Sequence, residues 1–74
     1  VALAITILPA DDGWTLRSPA VGADMVFLKG GQAEAAGRAL AGRLAAAGQD
    51  VELEIFLRDG ALAGRIPFPA ELAA

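Results

Sequence analysis

The sequence predicts an α+β fold, in which a single helix packs on one face of an antiparallel sheet of four strands, or five if Asp24–Leu28 forms its own, in the order β-β-(β)-α-β-β. Three observations carry this reading. Val1–Leu8 and Trp14–Arg17 alternate with the period of a pleated strand. Gln32–Ala47 repeats its apolar residues at helical intervals. In VELEIFLRDGALAGRIPF, Val51–Phe68, two alternating runs meet at Asp59-Gly60.

In the first run, Val1, Leu3, Ile5 and Ile7 lie on one side and Ala2, Ala4, Thr6 and Leu8 on the other. Pro9 is expected to stop it, because proline cannot donate to a ladder. Ala10-Asp11-Asp12-Gly13 reads as a turn, with Gly13 able to take a positive φ. Trp14–Arg17 then completes a first hairpin, and Pro19 and Gly22 mark Ser18–Ala23 as a loop. Asp24–Leu28 is either a third strand or a continuation of the second beyond a bulge.

Lys29-Gly30-Gly31 breaks the pattern ahead of the helix. Ala33, Ala36, Leu40, Leu44 and Ala47 form its apolar stripe, with Gly37 beside them. Glu34 and Arg38 are spaced i, i+4 in the favourable order. Gly37 and Gly42 each cost about 1 kcal/mol against alanine. Two readings account for them, tolerance in an alanine-rich helix or close approach of the helix to the sheet. Gly48 suits the left-handed position that closes a helix.

For the last hairpin, a two-residue Asp-Gly loop favours a type I′ turn. That register pairs Arg58 with Ala61, Leu57 with Leu62, Phe56 with Ala63, Ile55 with Gly64, Glu54 with Arg65 and Leu53 with Ile66. It places Leu53, Ile55, Leu57, Leu62 and Ile66 under the helix, and it sets Glu54 against Arg65 on the other face. Gly64 leaves space opposite Ile55. Pro67 and Pro69 end the strand, and Ala70–Ala74 is expected to fray.

The 74 residues form one domain, 1–74, small enough that a single core supplies only about 3–5 kcal/mol. With no cysteine and no histidine, neither a disulfide nor a thiolate or imidazole metal site can add to it. Help from oligomerisation is therefore expected. The formal charge of −3 disfavours nucleic-acid binding by a basic surface, although Arg17, Arg38, Arg43, Arg58 and Arg65 are free to cluster. Val1–Leu8 is far shorter than a membrane span and lacks the flanks of a signal peptide. The expected location is the cytoplasm. The chain starts at Val1 rather than methionine, which leaves an upstream signal open.

The segments ILPADDGW, GGQAEAAGRALAGRLA and VELEIFLRDGALAGRI resemble the domain of unknown function 2188 family of small bacterial proteins. The family pattern has a strand ending near proline, Gly-Trp after a polar turn, a Thr-Lys/Gln-x-Glu-Ala helix start and a Glu-Leu-x-Ile-His-x-x-Asp-Gly-x-Ile hairpin. Pro9, Gly13, Trp14, Gln32, Glu34, Ala35, Glu54, Ile55, Asp59 and Gly60 match it, over a stretch from about Ile5 to Ile66. Phe56 stands where the family often has histidine, and Gly31 where it has a capping threonine. The resemblance implies the fold and carries no activity with it.

No catalytic constellation is legible. Serine and threonine are scarce, and no histidine is present to activate them. Asp50, Glu52 and Glu54 make an acidic patch, but a hydrolytic carboxylate pair needs a cleft and one raised pKa, and Arg65 neutralises Glu54. Asp11-Asp12 lacks the spacing of a calcium loop. No cofactor is expected. Phe56 and Ala63 fall on the face away from the helix, flanked by Glu54, Arg58 and Arg65, and Ala2, Ala4, Thr6 and Leu8 add apolar area there if their strand presents the same outer face. The expected function is therefore a non-enzymatic interaction module that forms a homodimer either through the open sheet face, with Phe56, Arg58, Ala63 and Arg65 in an isologous interface, or through an exposed strand edge. The alternative is a small-ligand or anion binder that uses Lys29, Gly30 and Gly31 at the helix start together with Trp14.

Overall fold

The structure, a computed structural model, describes residues 2–71; Val1 of the first run and residues 72–74 of the expected frayed end lie outside it. The elements are β1 (Leu3–Ala10), β2 (Gly13–Arg17), β3 (Met25–Phe27), α1 (Gly30–Ala46), β4 (Val51–Phe56) and β5 (Leu62–Phe68). They form a five-stranded sheet in the order β3-β2-β1-β4-β5 with one helix. Asp24–Leu28 does hold a separate strand, antiparallel to β2. The expectation of a wholly antiparallel sheet is corrected: β1 and β4 at its centre run parallel, with Leu3 beside Val51 and Ile7 beside Ile55. The sheet is therefore mixed.

Strand β1 does not stop at Pro9. It continues to Ala10, where Pro9 lies beside Trp14 and Ala10 beside Gly13. Pairing with β4 ends at Ile7, so Pro9 sits where β1 has a neighbour on one side only, a position proline tolerates. Gly13 does not adopt a positive φ. A glycine is needed there because a Cβ would overlap the carbonyl oxygen of Phe27.

Helix α1 begins two residues earlier than expected, with Lys29 as an extended N-cap (φ −124°, ψ 143°) and Gly30 and Gly31 in its first turn. Its buried stripe is Ala33, Gly37, Ala41 and Ala45, which shares Ala33 with the predicted one and then runs beside it. Ala36, Leu40 and Leu44 flank that stripe, half-buried against the core, and Ala47 is exposed. The smallest side chains face the sheet because the helix lies close to it. A Cβ at Gly37 would fall 3.0 Å from Leu53 Cδ1, whereas one at Gly42 would meet nothing within 4 Å. Close approach thus accounts for Gly37 and simple tolerance for Gly42. At the far end Gly48 (φ +94°) donates to Ala45 O at 3.0 Å, and the Gln49 amide donates to Leu44 O at 2.9 Å. These two bonds are the Schellman closure.

The core lies between α1 and the inner face of the sheet. Ile5, Ile7, Leu16 and Leu53 are its fully buried large side chains, with Val51 beside them. Each such side chain contributes about 1.5–3 kcal/mol. In β4 the alternation leaves Glu52 and Glu54 on the opposite face, so a slip of one residue would bury carboxylates.

The β4–β5 ribbon keeps the predicted pairs Leu53–Ile66, Glu54–Arg65 and Ile55–Gly64, then departs from them. A bulge follows, and Phe56 pairs with Leu62 instead of Ala63. The turn is not type I′, which requires a positive φ at both central residues; among the described residues the ribbon has only Gly60 (φ +88°) there. Gly60 N donates to Leu57 O at 2.9 Å and Leu57 N to Ala61 O at 2.8 Å, while the Asp59 carboxylate accepts from Ala61 N at 2.9 Å. Arg58 therefore does not pair with Ala61. Leu57 and Leu62, assigned to the core from the sequence, are 48% and 42% exposed. The space at Gly64 is not filled by the helix or by a bulky side chain. Beyond β5, Ala70 N donates to Asp50 Oδ1 at 2.8 Å and Glu71 N to Ala45 O at 2.9 Å, so the chain is tied down over these two residues rather than frayed.

Candidate functional site

Helix α1 covers one face of the sheet and leaves the other open. The open face is built in rows by the strand registers. Val26 lies beside Thr15, and Thr15 beside Leu8. Phe56 lies beside Leu62, and it follows Ile55, the last residue of β4 paired with β1, just as Leu8 follows Ile7. These residues make one apolar row across all the strands, interrupted only by the threonine. Val26 is 72% exposed.

The next row is charged. Arg17, Thr6, Glu54 and Arg65 are successive neighbours across β2, β1, β4 and β5. Asp24 extends the row beyond Arg17, with 2.8 Å from Arg17 Nη2 to Asp24 Oδ2. The hydrogen bonds from Arg17 hold the Asp24 carboxyl below its ordinary range. Arg65 reaches Glu54 at 3.1 Å and Glu52 at 3.0 Å, Glu52 being one row further down beside Ala4 and Pro67. The acidic patch is thereby dispersed: Glu52 and Glu54 are bound by Arg65, and Asp50 accepts from Ala70. Asp11 and Asp12 are exposed in their turn, and among the described residues no group of acidic side chains is placed to hold a metal ion.

The four residues expected at the interface separate. Phe56, half-buried, and Arg65 stand on the open face. Ala63 is the extra residue of the bulge and is exposed. Arg58 leaves the group altogether. It reaches across to the β1–β2 turn, donating to Ala10 O at 2.8 Å and Gly13 O at 3.0 Å, and its guanidinium lies 4.9 Å from the Trp14 ring centroid.

The residues of the alternative site are neighbours, with no side chain capping the helix start. A Cβ on Gly30 would fall 3.0 Å from Trp14 Cε2, so the indole lies against the helix start on one side and under Arg58 on the other. The Lys29 carbonyl accepts from the amides of Gln32 and Ala33 at 3.2 Å.

Thr6 and Leu8 lie on the open face as their alternation predicts, whereas Thr15, Val26, Leu62, Arg17 and Asp24 join it without having been assigned to it from the sequence. Leu62 was missed because the bulge moves it from the helix side. A glycine within a strand is the signal for such a bulge, and Gly64 stands beside this one.

No family model, curated protein or solved structure matches the chain. Among the described residues no helix is long and apolar enough to cross a membrane.

Proposed function

We propose that the protein is a non-enzymatic interaction module that forms a homodimer through the open face of its sheet. The observation that carries this reading is the apolar row of Val26, Leu8, Phe56 and Leu62 on the face that α1 leaves uncovered. An apolar row bordered by a charged one has the make-up of a protein–protein contact. Among the described residues the one helix lies on a single face, and association is a route to further burial for the other. The likeness to the domain of unknown function 2188 family belongs to the same proposal and assigns no activity.

The test is the solution mass of the wild type and of Phe56→Glu across a range of protein concentration. The expected outcome is a dimer that the variant converts to monomer while its far-UV spectrum is unchanged. A monomeric wild type, or a variant that associates as well as the wild type, removes the proposal.

A further inference from the structure

The open face carries more than an apolar row. Read from β3 to β5, the charged row beside it is Asp24, Arg17, Thr6, Glu54, Arg65, that is, negative, positive, neutral, negative, positive. Reflected about Thr6 in the central strand, every sign reverses. The pattern is therefore self-complementary under a particular operation, a half-turn about an axis lying in the interface along β1. That rotation exchanges the two sides of the sheet and keeps each residue at its level along the strands.

We infer that the partner of this face is a second copy of the chain, docked about a two-fold axis along β1, with its orientation selected by these charges. The inference rests on the open-face reading above. In this arrangement Arg17 faces the partner's Glu54, and Asp24 faces the partner's Arg65. In the apolar row Leu8 meets the partner's Leu8 on the axis, Val26 meets the partner's Leu62, and Thr15 meets the partner's Phe56. Sheets packed face to face keep their strands within about 30° of one another at about 10 Å separation. Side chains as long as arginine and glutamate span that gap.

Each internal pair, Arg17–Asp24 and Glu54–Arg65, then joins its counterpart in a four-charge network, and the network occurs twice about the axis. The alternative half-turn, about an axis running across the strands through the charged row, sets Arg17 on Arg17 and Glu54 on Glu54. Placed between the rows, it sets charges on the apolar side chains. Like charges brought together in an interface suppress the wrong orientation. The remaining charge on the face, Glu52, is held at 3.0 Å by Arg65 of its own chain and lies outside the two facing rows.

The inference is tested with two single variants, Arg17→Glu and Glu54→Arg, measured separately and as an equimolar mixture by sedimentation equilibrium at low salt. Each variant alone sets two like-charged pairs across the axis. The expected result is a dissociation constant raised at least about tenfold for each. In the mixture every facing pair is again of opposite sign, and association returns to within about threefold of the wild type. Asp24→Arg and Arg65→Asp form a second set with the same logic, should either of the first variants fold poorly. Single variants that associate like the wild type, or a mixture that stays as weak as its components, overturn the orientation. If Phe56→Glu dissociates a wild-type dimer that ignores the charge variants, the orientation alone falls. A wild type that remains monomeric removes the open-face reading together with it.

Discussion

A methyl group added at Gly37 would sit 3.0 Å from Leu53 Cδ1 and 3.2 Å from Ile7 Cδ1, side chains that are 0% and 1% exposed and would have to give way within the core. At Gly42 the same methyl meets open space. Both glycines lower helix propensity equally, so their substitutions separate packing from propensity. Gly42→Ala is expected to raise stability by about 0.5–1 kcal/mol. Gly37→Leu is expected to lower it by about 1–3 kcal/mol through overpacking. Urea midpoints of the two variants measure both effects, and equal shifts would mean that Gly37 is not the point of closest contact. A second residue-scale device is Arg58, whose guanidinium caps the carbonyls of Ala10 and Gly13 and lies over the indole of Trp14. Arg58→Ala is expected to cost about 1–2 kcal/mol, from lost charge-assisted hydrogen bonds and the cation–π contact. Because Trp14 is the only tryptophan, its emission reports the change directly and is expected to shift to the red. An unchanged spectrum would show that the guanidinium does not cover the ring in solution.

At the scale of elements, the ribbon β4–β5 shows where pattern reading succeeds and where it stops. Leu53, Glu54 and Ile55 found their predicted partners because burial on one face and the Glu54–Arg65 pair both penalise a slip. Past Ile55 neither constraint acts, since Phe56, Leu57 and Leu62 are not in the core. There the turn decides, and Asp-Gly permits more than one. The chain takes the longer loop, in which a single residue, Gly60, adopts the left-handed region. Gly60→Ala is therefore expected to cost about 1–2 kcal/mol. Gly64→Ala, with an ordinary φ and open space around it, is the matched control and is expected to cost little. Comparable losses in thermal melts of the two would argue against the left-handed assignment. The helix stripe has a similar lesson. Leucines drew the apolar face toward Leu40 and Leu44, yet the sheet approaches along Ala33, Gly37, Ala41 and Ala45 because only small residues admit it. Hydrophobicity marks the covered side of a helix, and side-chain size marks its line of closest approach.

For the whole molecule, the direction of the central strand pair turns on the shortest element. With β3 present, the chain reverses at each of β2, β3, α1 and β4, so that β4 runs the same way as β1. Without β3 one reversal is lost, and the two would be antiparallel. The sequence left Asp24–Leu28 open, and with it the parallel pair. The alternation of Glu52 and Glu54 in β4 concealed that pair further, because a parallel strand usually reads as a continuous apolar run. The same arrangement sets the open face, since the register of β1 with β4 brings Thr6 beside Glu54 and, past its last pair Ile7–Ile55, leaves Leu8 and Phe56 at one level. A face assembled by long-range pairing is invisible to local pattern, which is why Phe56 and the outward side of β1 were legible while their neighbours on β2 and β3 were not. The proposed association has a thermodynamic signature at this scale. If the dimer is the more stable form, mass action makes unfolding depend on protein concentration. The wild-type melting temperature is expected to rise with concentration, while that of Phe56→Glu stays fixed. In a domain of this size each 1 kcal/mol of stability is worth roughly 4–8 °C, so a hundredfold concentration series gives a measurable slope. A wild-type melting temperature independent of concentration, with the protein folded throughout, would place its whole stability in the single chain and leave the open face without the partner argued for it.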